Sequence, residues 1–416
     1  VIKMATETLR AKLARPVDRA SLDVFRIAFG TLMCVGALRF FVHGWIDLFY
    51  KQPTFFFTYP GFSWVKPWPG LGMSLHYAAM AVAAACIALG VRYRLATVIF
   101  AFLFLYAELI DKTNYLNHYY YVTLVAFLLA LMPLGRGGEN TVPAWCLYLL
   151  RFQAGVVYFF AGVAKLNADW LLHAQPLRIW LAARSEWPII GPYFELESVA
   201  FLASWAGAAF DLFVVPALLY RKTRKLAFVA VIVFHVFTYS LFDIGLFPWL
   251  MIVSATLFFS PSWPRRSLVV TMPSVARSPV PRWAVALMAV YCAVQVSVPL
   301  RRHFMNGETL WTEEGFRFAW NVMLVEKAGT ATFEVLDPST GKRWYVDPLE
   351  TLTPLQARMM ATQPDMIVQF AEHLGDEARR KGIAQPQVFV SSAVAFNGRT
   401  RRALFAKDEN LLREGR

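Results

Sequence analysis

Charge is scarce in this chain: Asp, Glu, Lys and Arg make up only 17% of its 416 residues. A soluble globule of that length needs more polar surface, so the water-soluble classes are excluded. Cysteine is scarce as well. Cys34, Cys86, Cys146 and Cys292 each lie inside an apolar run with no CxxC spacing, which excludes a disulfide framework and a thiolate metal site. The 7 histidines show neither HxxxH nor HExxH spacing, so no metal is expected. A phosphate loop and a dinucleotide fingerprint are missing too, because Gly135-Arg-Gly-Gly138 lacks both the preceding strand and the lysine. There is no low-complexity linker and no internal repeat of the kind that marks many transporters.

What is present is apolar. Hydrophobic residues make up 57% of the chain and mean hydropathy is +0.44, the composition of an integral membrane protein. Apolar stretches at 22–42, 74–91, 95–110, 117–134, 143–163, 197–220, 225–242, 246–260 and 283–300 predict about nine membrane helices, the eighth of them short for a span. The first run carries Arg26 and has no small-residue cleavage pattern behind it, which predicts a retained helix rather than a signal peptide. The formal charge of +13 comes from basic residues at the ends of these runs. They do not form an aromatic-interleaved patch, so no nucleic acid is expected and the lipid bilayer is the partner. Lys3, Arg10, Lys12, Arg15 and Arg19 precede the first run. Alternate loops then hold Arg92 and Arg94, Arg136, Arg221 to Lys225, and Arg265, Arg266, Arg277 and Arg282. The positive-inside bias puts these loops and the N-terminus in the cytoplasm. Loops 43–72, 111–116 and 164–196 then face the periplasm, the extracellular side or the ER lumen. Loop 43–72 is crowded with aromatics and prolines, which suits an interfacial cap over a lipid-side entrance.

The stretch Leu147 to Trp170 is the centre of the chain, since an apolar helix runs here directly into a lysine. Arg151, Tyr158 and Lys165, spaced by seven, share one helical face. Ala154, Gly155, Ala161 and Gly162 lie between them and let another helix or a flat ligand come close. On residues alone, Lys165 reads either as an interfacial anchor or as a functional amine. Asp211 and His235 also stand mid-helix in apolar stretches. Isolated charges there are costly, so Arg151 and Asp211 are expected to pair, pinning two helices or joining a substrate or proton path. His235 reads as a locally bonded histidine or a proton relay. Asn117 and His118 open the fourth stretch at the depth of Lys165.

After Pro299 the composition changes. Strand-like runs at 316–325, 330–336, 343–347 and 386–397 and helical patterns at 354–361 and 364–381 predict a small α+β domain on the outer face. Asp337-Pro-Ser-Thr-Gly341 signals a hairpin turn and Thr353-Pro354 a helix start. The fold expected is therefore mainly α: a polytopic membrane helical bundle over 1–300 with an extramembrane α+β domain over 301–416.

Several separated motifs, taken in order, resemble the vitamin K-dependent gamma-carboxylase family and the bacterial proteins that share its horizontally transferred transmembrane (HTTM) domain. They are the run from Arg15 to Gly30, the aromatic loop from Phe49 to Gly70, Asp111 to Tyr120, Val157 to Trp170, Leu241 to Met251, Phe259 to Arg266, and His303, Trp311, Trp320 and Met323. By that resemblance, Lys165 is the catalytic base and His118 its support. Asn117, Tyr158, Trp320 and Met323 line the naphthoquinol pocket, and His303 is a further substrate-side candidate. The resemblance implies oxygenation of vitamin K hydroquinone to the 2,3-epoxide with O2, coupled to carboxylation by CO2 of glutamate in a protein or peptide, without a metal. Two other readings stay open: a quinol epoxidase acting on another substrate, and a non-enzymatic quinone- or lipid-binding membrane protein. No side chain is basic enough to take a glutamate γ-proton, so a cofactor's oxidation must supply the energy. A hydroquinone O–H resembles tyrosine, about 10, and a free amine titrates at about 10.4, so an amine suits the starting step. The animal enzymes carry a second lysine where this chain has Ala164, and aspartate where it has Asn167, so a like-charged neighbour does not assist Lys165.

Overall fold

The structure, a computed structural model, describes residues 2–242, 244–265, 278–305 and 307–412. Arg266 and Arg277, two of the basic-loop residues, lie outside the described residues. Helix α1 (Ile2–Ala14) leads into strand β1 (Pro16–Asp18), and the apolar helices follow. These are α2 (Ala20–Val42), α3 (Gly72–Leu89), α4 (Tyr93–Ile110), α5 (Asn117–Leu131) and, after strand β2 (Thr141–Pro143), α6 (Ala144–Ala164). Two short helices, α7 (Ala168–His173) and α8 (Leu177–Ala182), precede α9 (Glu197–Leu219), α10 (Arg224–Leu241), α11 (Phe247–Thr256) and α12 (Arg282–Leu300). Among the described residues, seven helices are long and apolar enough to cross a membrane; α5 and α11 are shorter apolar helices. All nine apolar stretches are helical, and two of them fall short of a full span.

Helix α11 has 10 residues and rises about 15 Å, half a bilayer core, so its carbonyl end stops inside the bundle. An exposed helix end at that depth must find donors. Arg151 supplies them: its Nε donates to Leu257 O at 2.7 Å and its Nη2 to Phe259 O at 2.9 Å. This corrects the expected Arg151–Asp211 pair, because the carbonyl end of the half-length helix takes the guanidinium. The pattern recurs. Arg26 caps α3 through Ile87 O and Ala88 O, Arg224 caps α9 through Leu218 O and Leu219 O, Arg19 reaches Leu134 O and Gly135 O, and Arg184 holds Leu241 O at the end of α10. Cations there complement the negative end of each helix dipole.

Helices α6 and α9 run antiparallel in close contact. A Cβ added at Gly162 would stand 2.9 Å from the Leu212 backbone nitrogen, and one at Gly155 would touch Val215 at 3.4 Å. The small residues of the α6 face thus admit a neighbouring helix. That register brings Asp211 to the level of Lys165.

The C-terminal region holds helix α13 (Thr309–Thr312), strands β3 (Lys327–Leu336) and β4 (Arg343–Val346), helices α14 (Pro354–Met360) and α15 (Pro364–Arg380), and strand β5 (Gln387–Phe396). The sheet is antiparallel in the order β4-β3-β5, with Phe333 opposite Val346 and Val390. The hairpin turn and the Thr353 cap form as expected, the latter as a full capping box with Gln356. Helix α15 buries Met366, Ile367, Phe370, Ala371 and Leu374 against the sheet.

One expectation fails here and another is extended. Segment 316–325 is irregular rather than a strand, with Phe318, Trp320 and Met323 all at positive φ. Its aromatics alternate because they wedge into the bundle: Trp320 is 1% exposed and stacks on Tyr120 at 5.0 Å. Loop 43–72 also does more than cap an interface. Phe57 is fully buried in the core of the C-terminal sheet and helices, with Phe55 packed beside Phe370 and His373. Lys112 N donates to Phe57 O, Gln356 Nε2 donates to Asp111 Oδ2 at 2.7 Å, and Lys112 pairs with Asp365 at 2.8 Å, so loop and outer layer are clamped together.

Candidate active site

At the end of α6 the chain leaves the helix at Lys165, which is 5% exposed rather than reaching for an interface. Its Nζ lies 2.8 Å from Asp211 Oδ2, 3.3 Å from Ala161 O and 5.1 Å from the centre of the Trp170 ring, with Val322 O at 3.5 Å. The Trp170 ring is itself fixed, its Nε1 donating to Ser204 O on α9 at 2.8 Å. A buried cation held by a carboxylate and an aromatic face is oriented as well as charge-balanced. The interfacial-anchor reading of Lys165 is thereby overturned.

This pair stands in the wall of an otherwise apolar cavity of about 470 Å³, within the range of about 300–1,000 Å³ usual for ligand pockets. Tyr158, Ala161 and Lys165 face it from α6, Gly207, Phe210 and Asp211 from α9, Val233, Phe234 and His235 from α10, and Phe247 and Met251 from α11. Val322 and Met323 cover it from the outer segment. Val233 and the small residues Ala206 and Ala230 also lie exposed on the outer surfaces of α9 and α10, so the cavity has a side mouth between those helices. Opposite the lysine, Tyr158 Oη and His235 Nε2 are 2.8 Å apart. The other ring nitrogen, His235 Nδ1, is buried without a hydrogen-bond partner among the described residues. An amine and a Tyr158–His235 pair in an otherwise apolar lining fit a flat apolar ligand that carries its own oxygens.

Of the residues singled out in sequence, Tyr158, Lys165, Asp211, His235 and Met323 meet at this cavity. His118 does not line it; its ring stacks on Phe247 at 5.4 Å, and Phe247 stands between. Asn117 Nδ2 donates to Asn321 O at 3.1 Å and anchors the outer segment, while Trp320 is buried against Tyr120. Arg151 caps α11, and His303 is exposed at the end of α12. Sequence reasoning missed the Lys165–Asp211 pair and the role of Trp170. The small-residue face of α6 was the available signal, since it fixes where α9 approaches.

The HTTM domain matches residues 14–263, more than half of the chain, so this bundle of apolar helices belongs to the HTTM class of membrane proteins. The lumenal domain of the vitamin K-dependent gamma-carboxylase matches residues 280–415. The chain is therefore a member of the vitamin K-dependent gamma-carboxylase family, a carboxylase-like membrane protein. No solved structure matches it.

Proposed function

We propose that the cavity binds vitamin K hydroquinone and oxygenates it with O2 to the 2,3-epoxide, coupled to carboxylation by CO2 of glutamate in a protein or peptide. The observation that carries this reading is the buried Lys165–Asp211 pair in the wall of an apolar cavity that opens sideways between α9 and α10. When bound, the hydroquinone together with O2 supplies a base stronger than any side chain; its conversion to epoxide and water drives removal of the glutamate γ-proton, and CO2 adds at that carbon.

The protein's part is to start this. Lys165 Nζ accepts a proton at the cavity wall as it passes one of its own to Asp211 Oδ2, 2.8 Å away, with no heavy atom displaced. The pair changes from ammonium and carboxylate to ammonium and carboxylic acid. A cation thus remains beside the oxygen that has lost its proton, held in place by the Trp170 ring. The hydrogen-bonded Tyr158–His235 pair, which also lines the cavity, offers a second polar point. His118 acts through Phe247 as a positioning residue, and Met323 closes the outer side. In this reading the N-terminus is cytoplasmic and the active site faces outward.

The test is epoxide formation by the full chain in lipid nanodiscs supplied with reduced vitamin K and O2. Lys165→Ala abolishes it, and small exogenous amines partly restore it. Full epoxidase activity in Lys165→Ala would overturn the assignment. Labelled CO2 incorporated into a glutamyl peptide tests the second half, and epoxide without incorporation would make the protein an epoxidase only.

A further inference from the structure

Beside the first cavity lies a second, of about 490 Å³. Ala183 and Arg184 belong to it alone, whereas Trp180, Leu241, Phe242, Ile244 and Met323 line both. The two spaces therefore share a wall. Met323, the outer part of that wall, is an unbranched and adaptable side chain on a backbone held at φ +48°. Phe318 and Trp320 precede it at φ +63° and +58°. Residues held in this sparsely populated conformation cluster at sites that need a fixed shape.

Arg184 is the cation of the second wall. Its Nε and Nη2 both donate to Leu241 O, at 3.3 and 2.9 Å, which fixes the guanidinium plane. A guanidinium has five N–H donors, and one carbonyl does not use them all. Among the described residues, no carboxylate lies within ion-pair distance of Arg184 and its Nη1 has no partner. Glu326 is engaged elsewhere, accepting the Trp180 indole N–H at 2.7 Å. Arg26, Arg151 and Arg224 also cap helix ends, but only Arg184 does so from the wall of either cavity. A fixed guanidinium with donors to spare recognises a carboxylate.

We propose that the second cavity takes the acidic side chain of the acceptor peptide, with Arg184 gripping its carboxylate. This rests on the reading of the first cavity given above. The chemistry is consistent with the placement: a glutamate γ-carbon is bonded directly to its carboxylate carbon. Holding the carboxylate at Arg184 therefore puts the γ-carbon among the residues that line both spaces, where the two meet and a base formed in the first can reach its proton.

The experiment measures binding of a labelled glutamyl peptide and its glutaminyl counterpart to the full chain in nanodiscs. The glutamyl peptide should bind about 10–100-fold more tightly, the range expected for charge-assisted hydrogen bonds. R184Q should erase the difference and R184K keep part of it. Ala183→Trp, which leaves the Leu241 cap intact, should weaken both peptides by filling the cavity. Equal binding of the two peptides to the wild-type chain, or discrimination that survives in R184Q, would overturn the proposal. If R184Q does not fold, undiminished peptide affinity in Ala183→Trp would overturn it instead. Epoxide formation by the wild-type chain without peptide reports separately on the first cavity. Glu/Gln discrimination without epoxide would remove the quinol reading, whereas epoxide without discrimination would remove the role of Arg184.

Discussion

Two double-mutant cycles on one carboxylate distinguish the partner that Asp211 has from the partner that its sequence suggests. In the first, Lys165→Met and Asp211→Asn remove the two halves of a pair whose side chains are each about 6% exposed. Either change alone leaves one buried charge without its partner, at a cost of about 3–5 kcal/mol. The double variant leaves no unpaired charge, so its cost should fall short of the sum by about 2–3 kcal/mol. In the second cycle, Arg151→Ala removes the donors to Leu257 O and Phe259 O. Two buried carbonyls left unsatisfied cost about 1–3 kcal/mol each, so this variant should lose about 2–6 kcal/mol. Combined with Asp211→Asn, it should be additive within about 0.5 kcal/mol, since the two side chains share no partner. Reversible unfolding in mixed detergent micelles provides the four free energies of each cycle. Coupling above about 1 kcal/mol between Arg151 and Asp211, or additivity between Lys165 and Asp211, would refute the reasoning.

Burial alone would raise Asp169 and Asp365, but hydrogen bonds and charge from Arg399 and Asn397 on the first, and from Arg317 and Lys112 on the second, hold both below the usual carboxylate range. Lowered carboxyls stabilise the fold above their unfolded value of about 3.9 and stop doing so as pH falls through the folded values. Protease resistance of the outer layer should therefore be flat from pH 7 to 5 and fall below about pH 4, with Asp365→Asn and Asp169→Asn flattening the profile; an unchanged profile in both variants would contradict this. Ala230→Phe should narrow the mouth between α9 and α10 and raise KM for a long-tailed quinol while sparing a tail-less one. Losing burial of two methylenes, about 1.6 kcal/mol, already corresponds to roughly tenfold, and equal effects on both quinols would exclude the mouth as the route. Single cysteines at the exposed Thr223 and Lys381, in a background without native cysteines, should react with an impermeant reagent from opposite sides of the membrane; labelling from one side would defeat the proposed orientation.

The helices were legible because each is an apolar run, seven of them long, and all nine fall within a few residues of where the sequence puts them. The sheet was legible from its strand-like runs and hairpin turn, and helix α14 from its capping box. Segment 316–325 was not, since aromatic residues alternating with polar ones read alike as a strand and as a wedge into a helical bundle. Arg151, Tyr158 and Lys165 do share a face of α6, but which of them meets Asp211 depends on how far α9 slides along it. One sequence does not fix that slide. Gly162 against Leu212 and Gly155 against Val215 do, and they put the carboxylate beside Lys165. The half-length of α11 was visible as a short run, yet the donor for its open carbonyl end lies on another helix.

Phe57 ties the order of synthesis to the order of folding. The ring belongs to the same buried cluster as Phe333, Phe370 and Val390 but emerges from the ribosome long before any of them, on the loop between the first two long apolar helices. The helical part must therefore enter the membrane and hold Phe55 and Phe57 ready until Gln387–Phe396 arrives as the last strand. A chain stopped before that strand leaves two phenylalanines waiting in water. A fragment made of 301–416 alone has the reverse defect, a core with a ring-sized hole where Phe57 belongs.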